Sequence, residues 1–281
     1  MMPPRWCLML LVVVWSTGAA QTPSDVKRER ADFLAWLTRS SVSPLRAVAH
    51  RPLDNEVSLG PTHSDILLPG LQQHRISAQG KALMLEGPNG KRPVGRGRPI
   101  RLTPYTLVLT EASGSTFITV FGPGPGKPPP GYYPYEASLV FTGPLIPPRK
   151  SGKTQVLATN GIPAGALEVG SFLVPLAGGS RLTVRRIQAD NTEESELEIF
   201  FQDETNGKGS YPAGRFVSLI PLGAGKYSLD LNRARNPFCA YSTAYPCPVP
   251  WRGNAIRAPV PAGERYTGGG LEAPSSVQNR K

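Results

Sequence analysis

The apolar and polar positions divide the chain into one helix and many short strands. Val26, Arg30, Phe33, Leu34 and Leu37 recur at helical spacing behind Ser24-Asp25. That spacing predicts a helix capped at Ser24, with one apolar face to dock onto a sheet. Residues 40–52 keep neither period and read as irregular. From Asn55 the period shortens. Ile66-Leu67-Leu68, His74-Arg75-Ile76, Ala82 to Leu85, Ile100-Arg101-Leu102 and Tyr105 to Leu109 are short apolar or alternating runs. Gly60-Pro61, Pro69-Gly70, Gln79-Gly80 and Pro88-Asn89-Gly90 separate them as turns. Glu111 to Val120 continues the sheet. Many short strands at close spacing predict a small sandwich or barrel.

The run Gly122 to Gly131 alternates glycine and proline around Lys127 and reads as an exposed loop between two parts of the chain. Beyond it, Ala137 to Thr142, Gln155 to Thr159, Gly165 to Leu176, Arg181 to Ile187, Leu197 to Phe201, Tyr211 to Pro221 and Tyr227 to Leu231 form an antiparallel-looking set. Ala189 to Ser195 is a polar, acidic turn, and the Gly- and Ser-containing tail after Tyr266 reads as disordered. The expected fold is mainly β: an N-terminal helix, a small β-sandwich, then a C-terminal antiparallel β unit. The boundaries are a leader over 1–20, the helix and sandwich over 21–121, the loop over 122–131, the β unit over 132–266 and a tail over 267–281.

The leader changes the compartment. Arg5 precedes the apolar run Trp6 to Trp15, which is too short to span a bilayer comfortably, and Thr17-Gly18-Ala19-Ala20 supplies small residues at a cleavage position. This predicts a signal peptide, hence a periplasmic or secreted protein, with no later membrane span. Removing the leader leaves two cysteines, Cys239 and Cys247, which in an oxidising compartment most simply pair. The competing use is a zinc site, which needs about four ligands. Beyond the cysteines the chain has His50, His63 and His74 to offer.

A formal net charge of +11 suits nucleic acid, anionic surfaces or acidic ligands. The basic residues are scattered, without a Lys/Arg block interleaved with aromatics and without zinc-finger spacing, which argues against nucleic acid. No cofactor motif is present.

Chemistry concentrates in Leu229 to Cys239, where Asp230, Asn232, Arg233, Arg235 and Asn236 share one stretch. Asp203-Glu204-Thr205-Asn206-Gly207 reads as a tight hairpin after an apolar strand. Arg215, entering the next strand, has Asp203 or Asp230 as a partner for a buried pair. In one reading Arg215, Asp230, Asn232, Arg233 and Asn236 form a polar network that pins the disulfide loop over the sheet end. In the other they line a pocket. Arg215 and Arg233 then hold a small or polymeric anionic ligand, and Asp230 or Glu264 orients it or serves a hydrolase as acid/base. The chain has no G-x-S-x-G, H-E-x-x-H or P-loop. A third reading uses the aromatic cluster Tyr132 to Tyr135 as an assembly surface.

Two family resemblances add to this. His63-Ser64-Asp65-Ile66-Leu67-Leu68-Pro69, Gln73-His74-Arg75-Ile76 and Pro88-Asn89-Gly90 resemble motifs of the forkhead-associated domain. The resemblance implies a sandwich. The family's phosphothreonine-holding Arg and Ser are replaced by Pro61 and Gln73, which removes its main anion donors. The C-terminal part resembles bacterial domain-of-unknown-function family 1684. The matching stretches are Ile199 to Gly207, Tyr211-Pro212-Ala213-Gly214-Arg215-Phe216, Leu229 to Tyr241, Cys247-Pro248 and Ala262-Gly263-Glu264. Leu231, Phe238 and Ser210 depart from the family's Phe, Pro and Thr. The resemblance implies an exported protein and supplies no activity.

Overall fold

The computed structural model describes residues 22–80, 82–188, 195–266 and 268. The expected signal peptide, the acidic turn at 189–194 and the tail from 269 lie outside them.

The helix α1 runs Pro23–Arg39, and its cap is Thr22 rather than Ser24. Thr22 accepts from the Asp25 amide while the Asp25 carboxylate accepts from the Thr22 amide, closing a capping box, and Pro23 suits the first turn. Val26, Phe33 and Leu37 form its buried face.

The stretch expected to be irregular contains a strand, β1 (Ala47–Leu53). Its alternation is weak because both faces are used. Leu53 and Ala49 point to the sandwich core, while Ala47 packs under the C-terminal part. Next come β2 (Glu56–Gly60), β3 (Ile66–Leu67), β4 (His74–Gln79), β5 (Ala82–Gly87), β6 (Gly90–Val94), β7 (Ile100–Leu102), β8 (Tyr105–Ala112) and β9 (Ser115–Phe121). Glu111 to Val120 is thus two strands, not one. Ser113 and Gly114, at φ 50° and 78°, turn the chain between paired Ala112 and Ser115. The sheets β1-β9-β8-β7 and β3-β2-β4-β5-β6 enclose one apolar core that includes Val57, Leu59, Ile76, Leu107 and Ile118.

After the Pro/Gly stretch the chain forms β10 (Val140–Pro144), β11 (Lys153–Leu157), β12 (Pro163–Val174), β13 (Ser180–Gln188), β14 (Ser195–Phe201), β15 (Arg215–Ser218), β16 (Ile220–Gly223) and β17 (Lys226–Asp230). The sheet β11-β12-β13-β14-β15 is antiparallel throughout and faces the smaller sheet β10-β17-β16. Phe172, Val184, Ile199, Phe201, Val217 and Leu229 fill the space between. The outer face of the larger sheet carries Ala166, Ile187, Phe200, Phe216 and Trp251. A third cluster joins α1, the outer side of β1-β9-β8 and the disulfide loop through Phe33, Leu37, Phe121, Tyr211, Cys239 and Tyr241. The chain is mainly β, with the expected single N-terminal helix followed by antiparallel sheets. Among the described residues no helix is long and apolar enough to cross a membrane.

Candidate functional site

The polar residues singled out from sequence meet in one buried network. Gly214, at φ 113°, lets the chain pass so close to the Phe201 carbonyl that a Cβ there would sit 2.6 Å from it. The next residue, Arg215, is completely buried. It pairs with Asp203 at 2.8 Å and donates to the carbonyls of Val260 at 3.0 Å and Ala262. Asp203 also accepts from the Thr205 amide, the Thr205 hydroxyl and the Val260 amide. The turn after β14 therefore serves this pair, with Asn206 accepting from the Asp203 amide and Gly207 at φ 75°. Of the two acids considered for Arg215, it is Asp203 that binds it.

Asp230 closes β17 and caps the turn Leu231–Arg233 by accepting from the Asn232 amide at 2.9 Å. Asn232 in turn holds both backbone groups of Glu136, at 2.8 and 2.9 Å. Burial pushes the Asp230 carboxyl above the usual carboxylate range, against the hydrogen bonds from Asn232. Its Oδ2 is buried without a partner. Arg233 grips Glu29 of α1 through Nε at 2.8 Å and Nη2 at 3.2 Å. Burial works to raise Glu29, and Arg233 with Arg235 outweighs it, so this acid stays charged. Arg30, one residue on, donates to the Tyr133 and Asn232 carbonyls. Glu264 accepts from the Asn236 amide at 2.8 Å, the Tyr241 hydroxyl at 2.6 Å and the Tyr132 hydroxyl at 3.3 Å. Burial raises its carboxyl above the usual range.

Arg215, Asp230, Asn232, Arg233, Asn236 and Glu264 thus lie in one region, yet the guanidinium groups of Arg215 and Arg233 go to protein carboxylates. Sequence reading missed Glu29, Arg30 and Tyr241. No local spacing signals them, because Glu29 and Arg233 are 204 residues apart. In the cluster read as an assembly surface, Tyr132, Tyr133 and Tyr135 are half-buried and Pro134 is exposed, with Arg30 over the Tyr132 ring and Arg265 over that of Tyr133. Cys239 and Cys247 form the expected disulfide, with the Tyr211 hydroxyl 3.3 and 3.2 Å from the two sulfurs. Among the described residues no three His, Cys, Asp or Glu side chains gather to hold a metal.

A second site escaped the sequence. Two adjoining cavities of about 390 and 410 Å³ lie beside β11, the first where the sandwich meets the C-terminal unit and the second within that unit. Leu157 and Pro163, opposite one another in the β11–β12 register, line both. The first is lined by His50, Arg51, Phe117 and Tyr245 among others. His50 stacks on Phe117 at 5.6 Å and places Nδ1 2.9 Å from the Thr119 hydroxyl, and burial drops it to about 4. The second holds Arg185, Trp251, Arg252 and Val249. The Arg185 guanidinium lies 4.3 Å over the Trp251 ring, which also packs edge-to-face with Phe200. Arg185 Nε is buried without a partner. No carboxylate lines either cavity, and each charged residue there is an arginine.

A family model described as "Protein of unknown function (DUF1684)" matches residues 131–265, a span that holds the network from Tyr132 to Glu264 but not α1. No curated protein matches the chain. One of five solved chains that match is an uncharacterized protein of Haloarcula marismortui, determined in solution by NMR. It is 29% identical over 48% of this chain and 75% of its own, with a TM-score of 0.41.

Proposed function

We propose that the protein binds an anionic ligand without transforming it, that it does so as an exported protein of the cell envelope, and that the ligand sits in the double cavity. One observation carries the reading: Arg51, Arg185 and Arg252 line that space and no acid does. Ordinary protein surfaces mix both signs, so a concave site with cations alone attracts and holds anions. Trp251 fixes Arg185 by cation–π contact, which aligns the guanidinium before a ligand arrives. The polar network then serves as the clamp that holds α1 and the C-terminal segment together. The resemblance of the sandwich to the forkhead-associated domain belongs to this reading as a scaffold, with no phosphothreonine role.

The test is calorimetric titration of the full chain with citrate at low and high ionic strength. The expected result is salt-sensitive binding that weakens by about tenfold or more, ~1.4 kcal/mol, in Arg185→Gln and again in Arg252→Gln. Equal binding by both variants sinks the site.

A second reading rests on Asp230, whose buried Oδ2 lacks a partner and whose carboxyl is raised by burial. Both are properties of a general acid/base in a hydrolase. Asp230→Asn with full folding and lost turnover on an envelope polysaccharide or ester supports it. Glu264, engaged by Tyr241, Asn236 and Tyr132, is the weaker acid/base of the two.

A further inference from the structure

A sheet edge is a row of unpaired N–H and C=O groups, and folded proteins blunt it with prolines, short strands or a covering segment. Among the described residues every edge but one carries a proline, has three residues or fewer, or is covered. Proline sits in β1 (Pro52), β6 (Pro93), β10 (Pro144) and β16 (Pro221). The edges β3 and β7 are two and three residues long. The edge β15 is covered by Arg235, which exchanges both backbone hydrogen bonds with Phe216. The exception is β11, Lys153-Thr154-Gln155-Val156-Leu157, which pairs with β12 alone. It has five residues and no proline; an exposed lysine, Lys153, guards its first position alone, and Thr154 and Gln155 are exposed beside it. Among the described residues no backbone hydrogen bond leads from Lys153–Leu157 to any element but β12.

The same strand lines the cationic space. Gln155, Val156 and Leu157 border the cavity that holds Arg185 and Arg252, and Leu157 borders its neighbour. Val156 packs on the sheet face that carries Trp251. A strand added beside β11 would set every second side chain over that face, toward the arginines.

From the open edge and the acid-free cavity together, we infer that the occupant is an extended peptide segment of a partner protein. It adds as a further strand to β11, with glutamate or aspartate at alternate positions. Backbone pairing supplies the hold and Arg185 and Arg252 select the acids. The inference rests on the anion-binding reading above and deepens it. An acidic polysaccharide would use the arginines and ignore the edge.

The test uses the full chain and a synthetic peptide of roughly six residues alternating valine and glutamate, about one strand in length. Two further versions carry N-methyl groups on alternate amides, one in each register. Affinity is read by calorimetry, and β11 is followed by amide hydrogen exchange. The parent peptide is expected to bind and to slow exchange in Lys153–Leu157. One methylated version loses about tenfold or more and the other keeps its affinity, since only one set of amides faces β11. Equal binding by all three peptides overturns strand addition, as does tighter binding of oligogalacturonate without protection of β11. If citrate binds and the peptide does not, strand addition falls while the anion reading stands. If neither binds, both fall.

Discussion

Arg215 and Arg185 stand two strands apart in one sheet and meet opposite fates. Arg215 faces the inner core, fully buried, with Asp203 at 2.8 Å and the Val260 and Ala262 carbonyls accepting from its two Nη atoms, while its Nε, like that of Arg185, is buried with no partner. Arg185 lies on the outer face, over Trp251, and its Nε is buried with no partner. A guanidinium enclosed with a carboxylate is neutral as a unit and, sealed in the core, out of a ligand's reach. One held over a ring is fixed in place on a partly open face, with Glu168 opposite it on the neighbouring strand. Density of polar residues therefore marks the clamp in this chain, while the cation proposed to meet a ligand sits over an aromatic ring.

The contrast breaks most visibly at Asp203. Asp203→Ala leaves a charge sealed in the core and is expected to cost about 3–5 kcal/mol in denaturant unfolding. A loss under 1 kcal/mol would show that Arg215 reaches water. Glu29→Gln weakens the grip of Arg233 on α1. The expected loss is about 1–2 kcal/mol, the range for charged hydrogen bonds discounted for a partly exposed acid. Faster exchange in Pro23–Arg39 alone would locate it. Arg185→Gln, by contrast, should change stability by no more than about 1 kcal/mol, the size of a cation–π contact, while removing anion binding. A large loss of stability would make Arg185 a second structural arginine.

A last effect is a pH dependence at the other end of the cleft. Burial lowers His50 from 6.5 to about 4, so below pH 6.5 the unfolded chain takes up the proton that the folded chain refuses. Stability from this residue is present above pH 6.5 and is lost as pH falls toward about 4. The melting temperature of the native chain should drop relative to His50→Phe across that window, and parallel curves would refute the assignment.

Sequence made the β class, most strands and the disulfide pair legible, because alternation, turn residues and two cysteines are local signals. It also offered Asp203 as a partner for Arg215, twelve residues away. β1 was lost because Arg51-Pro52 interrupts its pattern and pairing with β9 holds it in place. The cap moved to Thr22 because the reciprocal bond with Asp25 outweighs the hydroxyl of Ser24. The polar cluster was found, but not its partners on α1. The cleft was invisible for the same reason: Arg51, Arg185 and Trp251 come from three separate segments, and only folding brings them to one opening.

The grip of Arg233 on Glu29 has a consequence for the order in which the molecule is made. Its two ends are separated by 204 residues of chain. At synthesis rates of about 5–20 residues per second, α1 waits on the order of 10–40 s before its partners leave the ribosome. Throughout that interval Phe33 and Leu37 have only Leu45, Ala47, Val108 and Phe121 of their cluster to pack against, without Cys239, Tyr241 and Tyr245. A chain cut short before Arg233 would keep α1 on the sandwich side alone, without the grip on Glu29.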